Sequence, residues 1–281
     1  MKYTLVSDSS CDLFNKDLKS DKFDFYTVPL TIRLGDTEIV DEEGLDVSDL
    51  IEKMKKNKKA PSTACPSPEQ FATEMRKGDN VICVTITSKL SGTYNSARLG
   101  AETVQAQFPN KKIFILDSLS ASAGMTKMLY ELKRLIEKGN LTFEQITEQI
   151  TAYRDRTFVR FLLQDLGNLI KTGRMSKVAG LIAATLLIKP IFKNNDGEIA
   201  LSTKCMGMKK ALAALSEFPT QAAKEYGTDT PVLIAHCFNK EDSNTLKELL
   251  ETKHGLTNIT IRPMRGLASF YANEKGLIMA Y

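Results

Sequence analysis

Three stretches of this chain gather hydroxyls where a strand-like run gives way to a turn. They are Ser7, Asp8, Ser9 and Ser10 in "KYTLVSDSSCD" (2–12), Ser88, Ser91, Gly92 and Thr93 in "NVICVTITSKLSGTYNSA" (80–97), and Asp117, Ser118 and Ser120 in "KKIFILDSLSASAGM" (111–125). Hydroxyls grouped beside helix N-termini, where unpaired N–H groups and a partial positive charge point outward, form a site for an anion. Ser, Thr and Asp also act as N-caps and turn formers in every fold, so a single such turn has an ordinary explanation. Three of one design point to a shared rim. A nucleophilic Ser91 is the enzymatic alternative, but it needs a base, and no G-x-S-x-G surrounds it. Of the two histidines, His236 ends a strand-like run and is expected to be buried and satisfied, while His254, in the polar "ETKHGL", is expected to be solvated. "SKLSGTY" lacks the spacing and the Gly-Lys-Ser/Thr ending of a P-loop, which argues against nucleotide binding there.

A second segment, "KTGRMSKVAGLIAATLLIKP" (171–190), puts Arg174 in a Gly-containing turn ahead of a helix pattern that starts at about Ser176. Val178, Leu181, Ile182, Thr185, Leu186 and Ile188 leave that helix little polar face. A helix apolar nearly all round is either deeply buried or lines an apolar cavity.

The whole chain narrows the choices. With 281 residues, 42% hydrophobic and 26% charged, it has the make-up of a globular protein of one large or two medium domains, and two is the expectation. Its 38 Lys and Arg are interleaved with 34 Asp and Glu for a net charge of +4, which argues against nucleic acid as a partner. The N-terminus turns polar too soon for a secretion signal. The longest uncharged apolar stretch, Val178 to Ile188, is about half of what a membrane-crossing helix needs. A soluble, cytoplasmic protein without a transmembrane segment is therefore expected. Five scattered cysteines without a C-x-x-C pair imply reduced thiols, and with only two histidines no metal site and no cofactor are expected.

The elements that must position these residues follow from periodicity. Apolar runs without strict alternation suggest strands buried on both faces, as in parallel sheets, with helices at about Ala123 to Lys138 and Phe143 to Arg156 covering them. In open parallel sheets ligands sit beyond the carboxyl ends of the strands, so the three turns should converge. Between the first two, "FYTVPLTIRLGDTEIVDE" (25–42) reads as two strands around a Gly-Asp turn, and "VSDLIEKMKKN" (47–57) as a short helix from near Asp46. In "KKAPSTACPSPEQF" (58–71), Ser67-Pro68-Glu69-Gln70 supplies an N-cap, a proline at the first helical position and a capping box. After about residue 157 the pattern gives a strand, a short helix ended near Gly173, the apolar helix, and a strand at Ile188 to Phe192. "NNDG" (194–197) then turns a hairpin into "EIALSTK". A long helix (about Lys209 to Tyr226), a strand (Val232 to His236), a helix (Glu241 to Thr252) and a strand (Ile259 to Arg262) complete it. The fold class is α/β, as two α/β domains over 1–158 and 159–281, the first with a mainly parallel sheet covered by helices.

"SDSSCDL", "PSTACPSPEQF", "SKLSGTYNSA", "DSLSASAG", "LIKTGRMSKVAGLIAATLLIKPIF" followed by "DGEI", and "KKAL" at 209–212 occur in the order of the DegV family, which this chain resembles over most of its length. The resemblance implies a two-domain α/β protein that holds one long-chain fatty acid in a tunnel between its domains. It further implies a fatty-acid-binding component of bacterial fatty acid kinase, a carrier and not itself an enzyme, whose bound acid a separate kinase subunit phosphorylates. In those terms Thr63 and Ser91 hold the carboxylate, Gly92 and Thr93 complete the turn, and Arg174 and Ser118 lie near the head group or the kinase contact. Leu181, Ile182, Thr185 and Leu186 would then line the tunnel. The C-terminal stretch departs from the family pattern: Ala268 stands at the apparent position of a histidine, Gly-Pro-Gly is missing, and Met206 and Met208 stand where arginine is usual. Two alternatives follow, a lipid-binding protein that no longer couples to a kinase, and a serine-dependent esterase or phosphoryl-transfer enzyme using Ser91.

Overall fold

The computed structural model describes residues 2–175 and 187–281; the apolar helix expected from about Ser176, with Leu181, Ile182, Thr185 and Leu186, lies outside the described residues. The first half runs β1 (Tyr3–Asp8), β2 (Phe23–Val28), β3 (Thr31–Leu34), β4 (Thr37–Val40), α1 (Val47–Lys56), β5 (Ser62–Ala64), α2 (Pro68–Met75), β6 (Asn80–Thr85), α3 (Thr93–Gln107), β7 (Lys112–Asp117), α4 (Ala123–Lys138) and α5 (Phe143–Asp155). The second half runs β8 (Val159–Leu162), α6 (Gly167–Lys171), β9 (Ile188–Asn195), β10 (Glu198–Met206), α7 (Met208–Glu217), α8 (Thr220–Tyr226), β11 (Val232–His236), α9 (Lys240–His254), β12 (Ile259–Pro263), α10 (Gly266–Ala272) and β13 (Leu277–Ala280).

Strands β2-β1-β6-β7 form a parallel sheet buried on both faces. Leu5, Ile82 and Val84 pack under α4 and α5, while their neighbours Val6, Val81 and Cys83 pack under α2 and α3. This period of two, with both phases apolar, is why the sequence shows continuous apolar runs. The second sheet has the order β10-β9-β8-β13-β11-β12, and only β11 and β12 are parallel neighbours. Helices α7 and α9 cover one of its faces. Helix α4 meets both sheets: Met125, Met128 and Leu132 join the core of the first, Ala123 and Tyr130 that of the second. A third, antiparallel sheet, β4-β3-β5, packs its Ile32 and Leu34 against Leu50 of α1 and Leu267 and Phe270 of α10. Helix α10, from the far end of the chain, thus returns to the first half.

The capped starts appear as spaced. Asp46 accepts the Ser48 and Asp49 amides at the head of α1, and Ser67 and Gln70 form a reciprocal box at the head of α2. In the "NNDG" hairpin Asp196 and Gly197 both have positive φ, 52° and 83°, as a two-residue turn of type I′ requires. A Cβ on Gly197 would lie 2.3 Å from Thr87 Oγ1, so this hairpin docks closely on the second hydroxyl turn.

Two expectations are corrected. The segment 25–42 does hold two strands around the Gly35-Asp36 turn, β3 and β4, but not from its start: residues up to Val28 form β2 in the parallel sheet, and Pro29, with no N–H for a ladder, separates it from that hairpin. The long helix at 209–226 is two helices, α7 and α8, broken at Phe218-Pro219 where a proline cannot continue the hydrogen-bond series. The stretch 264–276, to which the sequence assigned no element, contains helix α10, and β13 after it inserts between β8 and β11, antiparallel to both.

Candidate functional site

The three hydroxyl turns latch to one another. Asp8, fully buried, accepts the Ser10 amide at 2.9 Å and the Ile86 amide at 2.7 Å, joining the first turn to the second. Burial raises its carboxyl to about 6, against the pull of those hydrogen bonds. The Thr87 amide donates to Ser120 O, the Ser118 amide to Thr85 O and the Ser122 amide to Ser10 O, so the third turn is tied to both others. Leu119 and Ser122 sit at φ 49° and 50°, a strained region for residues with a Cβ, of the kind found at functional sites.

Beside these turns a cavity opens between the two halves. From the first half come Leu30, Ile86, Leu90 and Leu119, from the second Val159, Phe161, Leu163, Leu169, Ile199 and Ile278, and from α10 Leu267, Ala268, Tyr271 and Ala272. The space free of atoms is about 910 Å³ with its open mouth included, little of it wider than a water molecule, so the cavity is narrow. Its exposed surface is mostly apolar; the polar residues of the lining include Thr63, Ser91 and Arg174, with Asn194 and Glu198 from the neighbouring hairpin.

These three are linked through short contacts. Arg174 donates from Nε to Leu90 O at 3.3 Å and from Nη1 to Thr172 O at 2.7 Å. Its guanidinium therefore braces the residue before Ser91. Ser91 Oγ lies 2.8 Å from Thr93 Oγ1 and accepts the Thr93 amide at 3.3 Å, a turn that opens α3 with Gly92 as its cap residue. The nearest side-chain atom to a Cβ built on Gly92 is Cys65 Sγ at 3.7 Å, which puts the loop bearing Thr63 beside the Ser91 turn. Thr63 itself is placed by β5, opposite Ile32 of β3, and its Oγ1 lies 2.8 Å from the Tyr271 hydroxyl of α10. The apolar cleft can hold an extended apolar chain, and its hydroxyls can satisfy a polar or anionic head.

A model of the DegV family, described as uncharacterised proteins, matches residues 2–278. The chain belongs to the DegV family. It is 39% identical to a DegV domain-containing protein of Streptococcus pyogenes serotype M1, with 100% of this chain and 99% of that protein covered. Among solved structures it is similar to the Streptococcus pneumoniae fatty acid kinase (Fak) B3 protein loaded with linoleic acid, at TM-score 0.94 and 34% identity, covering 100% of this chain and 99% of that one. A DegV family protein of Ruminococcus gnavus refined with vaccenic acid matches at TM-score 0.92 and 31% identity, covering 100% and 99%. One from Eubacterium eligens, loaded with heptadecanoic acid, matches at TM-score 0.90 and 31% identity, covering 99% and 98%.

In this DegV family member the expected residues divide. Thr63, Ser91 and Arg174 line one cavity, together with Ala268. Gly92 and Thr93 stand behind Ser91 and are not among the lining residues. Ser118 is buried, its hydroxyl donating to Ser120 O and accepting the Ser120 amide, both at 3.0 Å, so it shapes its own turn while Ser120 reaches the lining. No histidine lies beside Ser91. His236 is buried, with Nδ1 accepting the Asn239 amide at 3.2 Å, and burial, reinforced by Lys240, lowers its pKa. The expectation of a solvated His254 is corrected: its side chain is only 9% exposed, because it closes α9 against α7 with Nε2 3.3 Å from Ser216 Oγ. Among the described residues no cluster of His, Cys, Asp and Glu could hold a metal ion.

Sequence reading missed Tyr271 and the ionic cluster at the start of α10. Arg265, 3% exposed, stacks over the Phe14 ring and donates to Leu13 O and Asp41 O. Its amide donates to Asp12 at 2.9 Å, while Asp41 accepts the Gly266 and Leu267 amides, both at 3.0 Å. Burial raises Asp12 to about 7 and also raises Asp41. A Cβ on Gly266 would lie 2.8 Å from Asp41 Oδ1 and 2.4 Å from Leu45 Cδ2, so this close approach needs glycine. These partners lie more than two hundred positions apart in the chain, and no local pattern signals them.

Proposed function

We propose that the chain binds one long-chain fatty acid in the cleft between residues 1–158 and 159–281, and presents its carboxylate to a separate kinase subunit that forms the acyl phosphate. The observation that carries this reading is the narrow, mostly apolar cavity whose polar lining residues include Thr63, Ser91 and Arg174. The fatty acids named in the three structural relatives agree with it. Thr63 and Ser91 hold the carboxylate, Gly92 and Thr93 set the turn that aims Ser91, and Arg174 stands by the head group at the kinase contact. Ser118 braces the neighbouring turn. Burying roughly fifteen methylenes at about 0.8 kcal/mol each gives a gross term near ~12 kcal/mol, from which ordering costs subtract. Against that term the head group needs only to be satisfied, which charge-assisted hydrogen bonds from hydroxyls and amides can do without a buried cation.

The esterase reading has no support in the geometry, because the hydroxyl partner of Ser91 is Thr93 and not a base. A cytoplasmic carrier belongs to the proposal; among the described residues no helix is long and apolar enough to cross a membrane. Displacement of a fluorescent fatty acid by unlabelled acids measures binding. Adding the kinase subunit encoded by the same organism with ATP, and trapping product with hydroxylamine, measures acyl phosphate. Saturable binding and hydroxamate formation are expected. Absence of binding would remove the proposal, and binding without hydroxamate would leave a carrier uncoupled from the kinase.

A further inference from the structure

Thr63 does not face the cavity alone. Its Oγ1 and the Tyr271 phenol oxygen are 2.8 Å apart with either able to donate, and both residues line the cavity. Tyr271 packs edge-on against Phe270 at 4.8 Å between centroids and, half-buried, against the two hydrophobic cores beside α10. Ala268, three positions earlier on the same helix and also in the lining, brings only a methyl group to that face. In the unliganded pair either hydroxyl can donate to the other. A carboxylate removes the choice, because it can only accept. Once Thr63 donates to it, the Thr63 oxygen has lone pairs left and no proton, so the phenol must donate to Thr63. The result is a one-directional series from Tyr271 to Thr63 to the carboxylate, in which each hydrogen bond polarises the next. An ester offers a weaker, uncharged acceptor and gains less from the same alignment.

We infer that Tyr271 is a positioning residue that orients the Thr63 hydroxyl as a donor and so selects a carboxylate over an uncharged head group. This rests on the fatty-acid reading above. The test compares oleic acid with its methyl ester in the native protein, in Tyr271→Phe, in Thr63→Val and in the double variant. Tyr271→Phe keeps the ring and removes only the hydroxyl. It is expected to weaken the acid about fivefold, the size of one net hydrogen bond, and the ester clearly less, so that the ratio of acid to ester affinity falls. Thr63→Val weakens the acid more, and adding Tyr271→Phe to it weakens the acid no further, because the phenol acts only through Thr63. A Tyr271→Phe protein with the native ratio of acid to ester affinity would overturn the inference. So would equal weakening of both ligands with a lower melting temperature, since that marks a structural role, or losses that add fully in the double variant. A native protein that binds neither ligand would instead overturn the reading on which the inference rests.

Discussion

At its first residues α10 meets charge: Arg265 and Asp41 face each other in a fully buried cluster with Asp12, and almost every donor and acceptor there is tied to another part of the protein. Along its cavity side the same helix presents Leu267, Ala268, Tyr271 and Ala272, and the polar contact it makes there is between two neutral hydroxyls, those of Tyr271 and Thr63. Both regions bury polar atoms, but in the charged one the unmet side-chain group is Arg265 Nε, whereas the cavity hydroxyls keep lone pairs and protons to spare. Buried ions need complete pairing, so they serve to fix a helix in place. Hydroxyls tolerate exchange of one partner for another, so they can stand in a wall that must accept a ligand and release it.

This contrast breaks most readily on the charged side. Asp41→Ala leaves Arg265 buried without its carboxylate and orphans two amides of α10, and should destabilise the protein by about 3–5 kcal/mol in urea unfolding. A loss under about 1 kcal/mol would mean that the cluster is not what holds the helix. On the cavity side the pair Thr63→Val with Ser91→Ala should weaken a fatty acid about a hundredfold by fluorescence displacement, with little change in urea midpoint. A reversal, stability lost and affinity kept, would erase the distinction between the two regions. Gly266→Ala, which must push Leu45 and Asp41 apart, should cost about 1–3 kcal/mol.

The smallest effect is in pH. Burial holds Asp12 near 7 and Asp8 near 6, both raised from 3.8, so the folded chain keeps protons that the unfolded chain has released. Their contribution to stability is complete below about pH 4 and is lost as pH rises through 6 and 7. The melting temperature of the ligand-free protein should therefore fall between about pH 4 and 7, and Asp12→Asn should flatten that fall. An unchanged slope in the variant would mean that Asp12 does not carry it.

What could be read from the sequence was local. Parallel strands with both faces covered announce themselves as β-branched runs ending in hydroxyl turns, and the caps at Asp46 and Ser67 depend on residues two or three apart. Ser91 and its partner Thr93 stood together in one hydroxyl turn, whereas Thr63 came from the resemblance and its partner Tyr271 from neither. Tyr271 reaches Thr63 across 208 positions and Arg265 reaches Asp12 across 253, through a helix too short to show a periodicity. Strand β13 was equally hidden, since a four-residue apolar run does not reveal that it will pair between β8 and β11. The bonding of Ser118 was hidden for the opposite reason: a serine in a turn looks the same whether its hydroxyl faces a ligand or its own backbone.

Native mass spectrometry of the gently purified protein tests the fatty-acid site most directly. The expected spectrum carries the mass of the chain plus one long-chain fatty acid, and the Thr63→Val, Ser91→Ala protein shows that adduct much depleted. A native protein found only at the mass of the bare chain, and unchanged after incubation with oleic acid, would contradict the proposed function.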